Sequence, residues 1–546
     1  MRKPLCMAAI LTALSLILSA CDSLLPQVSS QNRIRSEKQV LNLTVSEEPA
    51  TLDSAVAVDP NSVNLLNNVM EGLMRLGKDS KPEPAIAQQV EVSADKRVYT
   101  FHLREARWSD GEPVRADDFA YAWKRVLHPQ IRSRSAYLFF PIQGAQDYHR
   151  GRIGWKQVGI RVVDEQTLRV TLTRPIPYFL ELTTTSAYLP QRADIVKRLG
   201  KSYGKNTAEM VYDGPFRISG WEQGKSIILT RNEQYWDKGE VFLETVRTAV
   251  VRDTAEGIQL YHTYQTDTAR VDQVYADLYK KSPDWKEQPT ASVQFLQFNL
   301  QKPLFRNPYI RKAFSYAIDR EALTDHLLND GSMPAGSVIP PSIFPFNERS
   351  GEIAEKRPEI HRFDPRQAQA WLKKGMDDLH LERFPEEVVM TVPDTDKQVA
   401  LFLQNQFRRN LGVEVKIDPK PLRRYPQQLD RGEFDIAINE WRSGYRDPGG
   451  VLVAFSSEGP CNPGKWSAPE YDRWLKQAAS TADEEKRIGF YLQAEKKLLE
   501  DAPISPLDFQ SEAFIQRKWV KNVVRHPFGA DLTLKEAFIE GKSENK

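Results

Sequence analysis

Trp108-Ser109-Asp110-Gly111-Glu112-Pro113-Val114-Arg115-Ala116-Asp117-Asp118-Phe119, followed by Tyr121, Trp123 and Arg125, is the stretch around which the rest of this chain can be ordered. Apolar residues recur at helical spacing through Leu127. The pattern predicts an amphipathic helix over 118–127, with Asp117 as its cap and Pro129 as its stop. Upstream, Val90-Glu91-Val92 and Val98-Tyr99-Thr100-Phe101 flank a polar turn at Ser93-Ala94-Asp95-Lys96 and predict a hairpin within 88–104. Downstream, 158–163 and 167–172 predict a second pair of strands.

Further out the same alternation continues. Gln39-Val40-Leu41-Asn42-Leu43-Thr44-Val45 alternates as a strand does, and 63–73 has helical spacing with Gly72 placed as a stop. Helices are predicted at 193–199, 308–328, 366–374, 397–410, 468–478 and 484–500. Strands interleaved with helices predict a mixed α/β fold. With 546 residues and no internal repeat, the chain is long enough for two or three domains.

The N-terminus reads MRKPLCMAAILTALSLILSAC. Arg2 and Lys3 precede a short apolar core, the form of a secretory signal rather than of a membrane span. Leu18-Ser19-Ala20-Cys21 is similar to a bacterial lipobox, which predicts a signal peptide at 1–20, acylation of Cys21 and attachment to a membrane by lipid. Residues 21–38 are polar and Ser/Gln-rich, the composition of a flexible tether. Past residue 21 no apolar run reaches the roughly 18 residues of a spanning helix. In a host with two membranes Asp22 would favour retention at the inner one, on its periplasmic face; in a host with one membrane the anchor would sit in the outer leaflet.

Without Arg2 and Lys3 the chain has as many bases as acids, 73 of each. Such a balance speaks against nucleic acid as a partner and against electrostatic adhesion to anionic lipid. Of three cysteines only Cys461 remains in the body of the chain, so no internal disulfide is expected. It lies in Gly459-Pro460-Cys461-Asn462-Pro463, with no histidine beside it, and reads as an inert thiol.

Catalytic patterns are thin. Gly200-Lys201-Ser202-Tyr203-Gly204 satisfies G-x-S-x-G, but a nucleophile elbow needs a strand before it, and 193–199 reads as helix. The Gly-Lys-Ser triplets at 200–202 and 224–226 lack the earlier glycine of a phosphate-binding loop. The eight histidines show no metal-ligand spacing. No enzyme activity, cofactor or metal is expected. A secreted hydrolase dependent on Ser202 stays as a competing reading.

The order of short strings is more informative. Glu48-Pro49-Ala50-Thr51-Leu52-Asp53 and Glu71-Gly72-Leu73 precede the 108–125 stretch. Gly214-Pro215-Phe216, Trp221, Arg231-Asn232 and Tyr235-Trp236 follow it. Then come Phe298-Asn299-Leu300, Pro303-Leu304-Phe305, Ile310–Arg320, Leu411-Gly412-Val413 and Phe434-Asp435-Ile436. In this order, from about residue 40 to about 540, the chain resembles the oligopeptide- and dipeptide-binding solute-binding proteins of ABC importers. The resemblance implies two lobes joined by crossover strands, with an extra domain on the N-terminal lobe. In this numbering the first lobe would take 39–75, 205–297 and 510–546, the extra domain 76–204 and the second lobe 298–509. It implies capture of a peptide or peptide-like solute by hinge closure, and delivery to permease subunits with separate ATPase subunits. A monomer is expected. A ligand sensor that does not import remains open.

One motif departs from the family. Peptide-binding members carry Trp-x-x-Asp before a proline, and that Asp receives the ligand's α-ammonium. Here the segment is Glu440-Trp441-Arg442-Ser443-Gly444-Tyr445-Arg446-Asp447-Pro448, with Gly444 at the acidic position. Trp441, Arg442, Gly444, Tyr445 and Arg446 are therefore the expected ligand-binding residues. Asp447 reads as the cap of a following helix. Glu440 points away from Trp441 by strand alternation. Arg442 and Arg446 suit an oxyanion, so an amine-blocked or anionic solute is the alternative ligand.

Overall fold

The computed structural model describes residues 35–205, 207–343, 362–385, 387–422, 424–481 and 483–542. The expected signal peptide, Cys21 and most of the tether lie outside the described residues. Residues at the tether's end are held on the fold: the Ser36 amide donates to the Ile539 carbonyl at 2.9 Å, and the Arg35 guanidinium lies 3.6 Å from the centre of the Phe242 ring.

Val40–Val45 runs parallel to Thr245–Val250, and the antiparallel strands Ser226–Arg231 and Phe216–Glu222 complete a four-stranded sheet. The two predicted hairpins, observed as Ala87–Val92 with Val98–Leu103 and Ile160–Asp164 with Thr167–Thr171, join into another four-stranded sheet. Helix Ala116–Leu127 belongs to this part of the chain and buries Phe119, Trp123 and Val126. Both sheets feed one continuous apolar core, so the segment expected as an extra domain is fused to the first lobe by packing.

The seven-stranded sheet organises the remainder. Trp285–Phe298 and Ile504–Gln516 are long antiparallel partners running from one lobe into the other. At one end Thr268–Arg270 joins them; at the other they meet Ile436–Arg442, then Val388–Pro393 and Val415–Lys420. Cores lie on both faces in the second lobe, one around Phe295, Phe455 and Tyr491 and one around Leu296, Phe314 and Phe407. These are the crossover strands of a two-lobed α/β fold.

Three predicted boundaries differ, each for a packing reason. The helix expected over 63–73 is Pro60–Val69. The chain turns at Met70 because Gly214 presses against it: a Cβ there would lie 2.5 Å from the Met70 amide nitrogen. The helix expected to be capped by Asp117 starts at Ala116 instead. Asp118 takes the reciprocal role, accepting from the Arg115 amide at 3.0 Å and from the buried Trp108 indole at 3.1 Å. The 308–328 helix is interrupted after Tyr316, where Arg320 turns inward to donate to the Pro506 carbonyl at 2.7 Å and Ser505 Oγ at 2.8 Å. A buried guanidinium must find acceptors, and the crossover strand supplies them.

Candidate functional site

The crossover pair is irregular at one place. Pro289 is opposite Ser511, but the next aligned pair is Val293 and Phe509, so Thr290–Ser292 face Gln510 alone. Such a bulge frees backbone groups for other partners. The Ala291 amide donates to the Pro527 carbonyl at 2.6 Å, and the Ala291 carbonyl accepts from the Ser443 amide at 3.0 Å. The hydrogen bonds of one bulged residue thereby tie the C-terminal segment to the segment expected to bind ligand.

That segment leaves the strand Ile436–Arg442 where the three parts of the molecule meet. Trp441 packs on the second-lobe core and donates through its indole nitrogen to the Gly450 carbonyl at 2.8 Å. Arg442 is ion-paired with Asp531, and Glu512 lies 4.0 Å away. Tyr445 is buried in the first-lobe core, where it stacks on Tyr178. The Arg446 charge acts on Glu181. Gly444 faces open space, since a Cβ built on it meets nothing within 4 Å. The backbone here has room for a Cβ.

Asp447 is fully buried and caps Pro448–Leu452, accepting from the Gly449 amide at 2.8 Å. It also accepts from the Tyr491 hydroxyl at 2.8 Å and pairs with Arg487. The capping reading of Asp447 therefore describes what it does. Glu440 points to the opposite face from Trp441: it is aligned with Gln294, whereas Trp441 packs on the core of the other face.

Several residues of the ordered strings are structural. Asp53 accepts two 2.9 Å bonds from Arg125 and one from Gln191. The Trp221 indole donates to Glu48 at 2.9 Å. Asn299 donates to the Phe434 carbonyl at 2.9 Å, and Arg311 to the Ala502 carbonyl at 2.9 Å. These contacts hold distant segments together. Cys461 is buried beside Asn439, and burial pushes its thiol up to about 12, so it is not a nucleophile at neutral pH. Ser202 ends a single 3₁₀ turn directly after helix Ala193–Leu199, with no strand leading into it.

Sequence reasoning missed Tyr178, Glu181 and Asp531, which reach the segment from far along the chain. It also missed Asp508, fully buried in the run Ile504–Phe509. A carboxylate in so apolar a strand was the available signal.

Among the described residues no helix is long and apolar enough to cross a membrane. Residues 81–462 match the family model for bacterial extracellular solute-binding proteins, family 5, middle region. The dipeptide-binding protein DppE of Bacillus subtilis (strain 168) is 33% identical over 497 residues, spanning 90% of this chain and 91% of that protein. The substrate-binding domain of an oligopeptide ABC transporter from Bacillus anthracis superposes with a TM-score of 0.84 at 30% identity, over 93% of this chain and 99% of that one. Peptide-bound OppA of Listeria monocytogenes gives a TM-score of 0.81 at 32% identity, over 93% of this chain and all of that one. With crossover strands between two lobes and a matched segment spanning most of its length, the chain belongs to the bacterial extracellular solute-binding proteins of family 5.

Proposed function

We propose that this protein captures oligopeptides between its lobes outside the cytoplasm and passes them to the permease of an ABC importer, whose ATPase subunits are separate chains. The observation that carries the reading is the irregular crossover at 289–293, placed between the lobes and hydrogen-bonded to the 441–446 segment. Loss of ladder bonds at a bulge makes it the natural site for a hinge. Ligand held by both lobes stabilises the closed form by its differential affinity for that form. The lobes are taken as 39–75, 205–297 and 510–546 for the first and 298–509 for the second, with 76–204 as the additional domain. Cys21 is the lipid anchor, and the protein works as a monomer.

Native mass spectrometry of the purified protein, with sequencing of what it releases, tests this. A ladder of peptides is expected; one discrete non-peptide mass would overturn it. A second reading, a solute without a free α-ammonium, is favoured by the open space at Gly444.

A further inference from the structure

A row of polar residues crosses the seven-stranded sheet at Gln294. In the pairing of Trp285–Phe298 with Ile436–Arg442, Gln294 is opposite Glu440; in its pairing with Ile504–Gln516, the same Gln294 is opposite Asp508. Directly opposed residues project from the same face of a sheet. Glu440, Gln294 and Asp508 therefore share one face, and the Gln294 amide reaches Asp396 Oδ2 at 3.4 Å. Three carboxylates surround one neutral amide.

No base acts on Asp508 or Asp396, whereas Glu440 has Arg442 near it and hydrogen bonds from the Ser292 and Gln510 side chains. Asp508 is 1% exposed, and its Oδ1 is buried with no hydrogen-bond partner. The charged groups acting on it are Asp330, Glu440 and Asp396, all acids. Those acting on Asp396 are Glu440 and Asp394. Arg442 acts on Glu440, but it is already paired with Asp531. A buried carboxylate with no partner and acidic neighbours is costly in the free protein. Burial raises the pKa of Asp508, and it pushes Asp396 up to about 6. Glu440 is exposed to water at the end of this row, and surrounding protein raises its pKa.

The shape of the site selects among cations. Among the described residues no group of three or more His, Cys, Asp or Glu is placed to hold a metal ion. Glu440 and Asp508 are two strands apart, about 10 Å across the sheet. That spacing suits an organic cation carrying several N–H donors. Resting on the peptide-binding function proposed above, we infer that Glu440, Asp396 and Asp508 form a specificity recess for a cationic group of the ligand, an ammonium or a guanidinium.

Four tripeptides test it: Ala-Ala-Ala, Ala-Lys-Ala and the N-acetyl form of each, titrated calorimetrically into the purified protein. Preference for acetyl-Ala-Lys-Ala over acetyl-Ala-Ala-Ala assigns the recess to a basic side chain. Preference for Ala-Ala-Ala over its acetyl form assigns it to the α-ammonium. At least one of these ratios is expected to be tenfold or more, and to collapse to within about twofold in Glu440→Gln/Asp508→Asn. Ratios near one in the unmodified protein, or a preference that survives the double variant, overturn the inference and leave peptide capture standing. Binding of none of the four, nor of a random tripeptide mixture, sinks both. Because Asp508→Asn removes an uncompensated buried charge, its ligand-free melting temperature is expected to rise. A fall would show that Asp508 has a partner inside the fold and would overturn the inference independently.

Discussion

Tyr445 of the 441–446 segment stacks on Tyr178 of the 76–204 segment, with ring centroids 5.3 Å apart and planes inclined by 21°. The contact joins the second lobe to a part of the chain fused with the first, alongside the bond from Arg174 to the Ala479 carbonyl at 3.1 Å. In the hinge-closure mechanism proposed above, it would be made on closure. An aromatic pair contributes about 0.5–1.5 kcal/mol beyond area burial, so Tyr178→Ala should weaken peptide binding roughly two- to tenfold. Small-angle scattering of the ligand-bound variant should show a larger radius of gyration. Unchanged affinity and size would mean that the stack plays no part in closure.

Asp447 and Arg487 form a buried pair behind the same segment. Removing one partner of such a pair typically costs about 3–5 kcal/mol, because the remaining charge stays buried. Arg487→Leu should lower the stability measured by urea unfolding by that order. Asp447 keeps the Tyr491 hydroxyl and the Gly449 amide in this variant, so the lower half of the range is expected. A loss under about 1 kcal/mol would show that these neutral donors satisfy Asp447 alone.

Glu181 gives the seam a pH dependence. Burial, with Asp447 adding to it, pushes its carboxyl up to about 7 from an ordinary value of 4.5. The folded state binds this proton more tightly than the unfolded state. The resulting stability is complete below about pH 4.5 and is lost as pH rises towards 7. Glu181→Gln should therefore raise the melting temperature at pH 8, and raise it by less at pH 5. His526 works in the opposite sense: burial lowers it to about 4, so its stability is lost as pH falls from about 6.5. Equal shifts for Glu181→Gln at both pH values would contradict the assignment.

Gly444→Asp restores a carboxylate where a built Cβ meets no atom within 4 Å. The fold should accept it, with a melting temperature close to that of the unmodified protein. A charge-assisted hydrogen bond contributes about 1.5–3 kcal/mol, so free-amine peptides should bind about ten- to a hundredfold more tightly. If binding calorimetry shows no gain, Gly444 does not set specificity.

By itself the sequence determined the elements and the order of the fold. Strand alternation at 40–45, the hairpins around 93–96 and 164–166, and the helices at 397–410 and 484–500 are local patterns, and the structure has these elements with ends within a residue or two. Ordered strings such as Asp53 and Arg125 reported the two-lobed fold because they serve it: each bonds a segment remote in sequence. Tertiary structure alone decided what surrounds the candidate site. Residue 444 lacks a carboxylate on any reading of the chain, but only packing shows the space beside it. Arg442 reads as an available cation until Asp531, 89 residues away, occupies it. The acidic row was out of reach for the same reason: Asp396, Glu440 and Asp508 share no spacing along the chain. Strand register aligns Glu440 and Asp508 through Gln294, the turn after Val388–Pro393 brings in Asp396, and register is set by packing of whole faces.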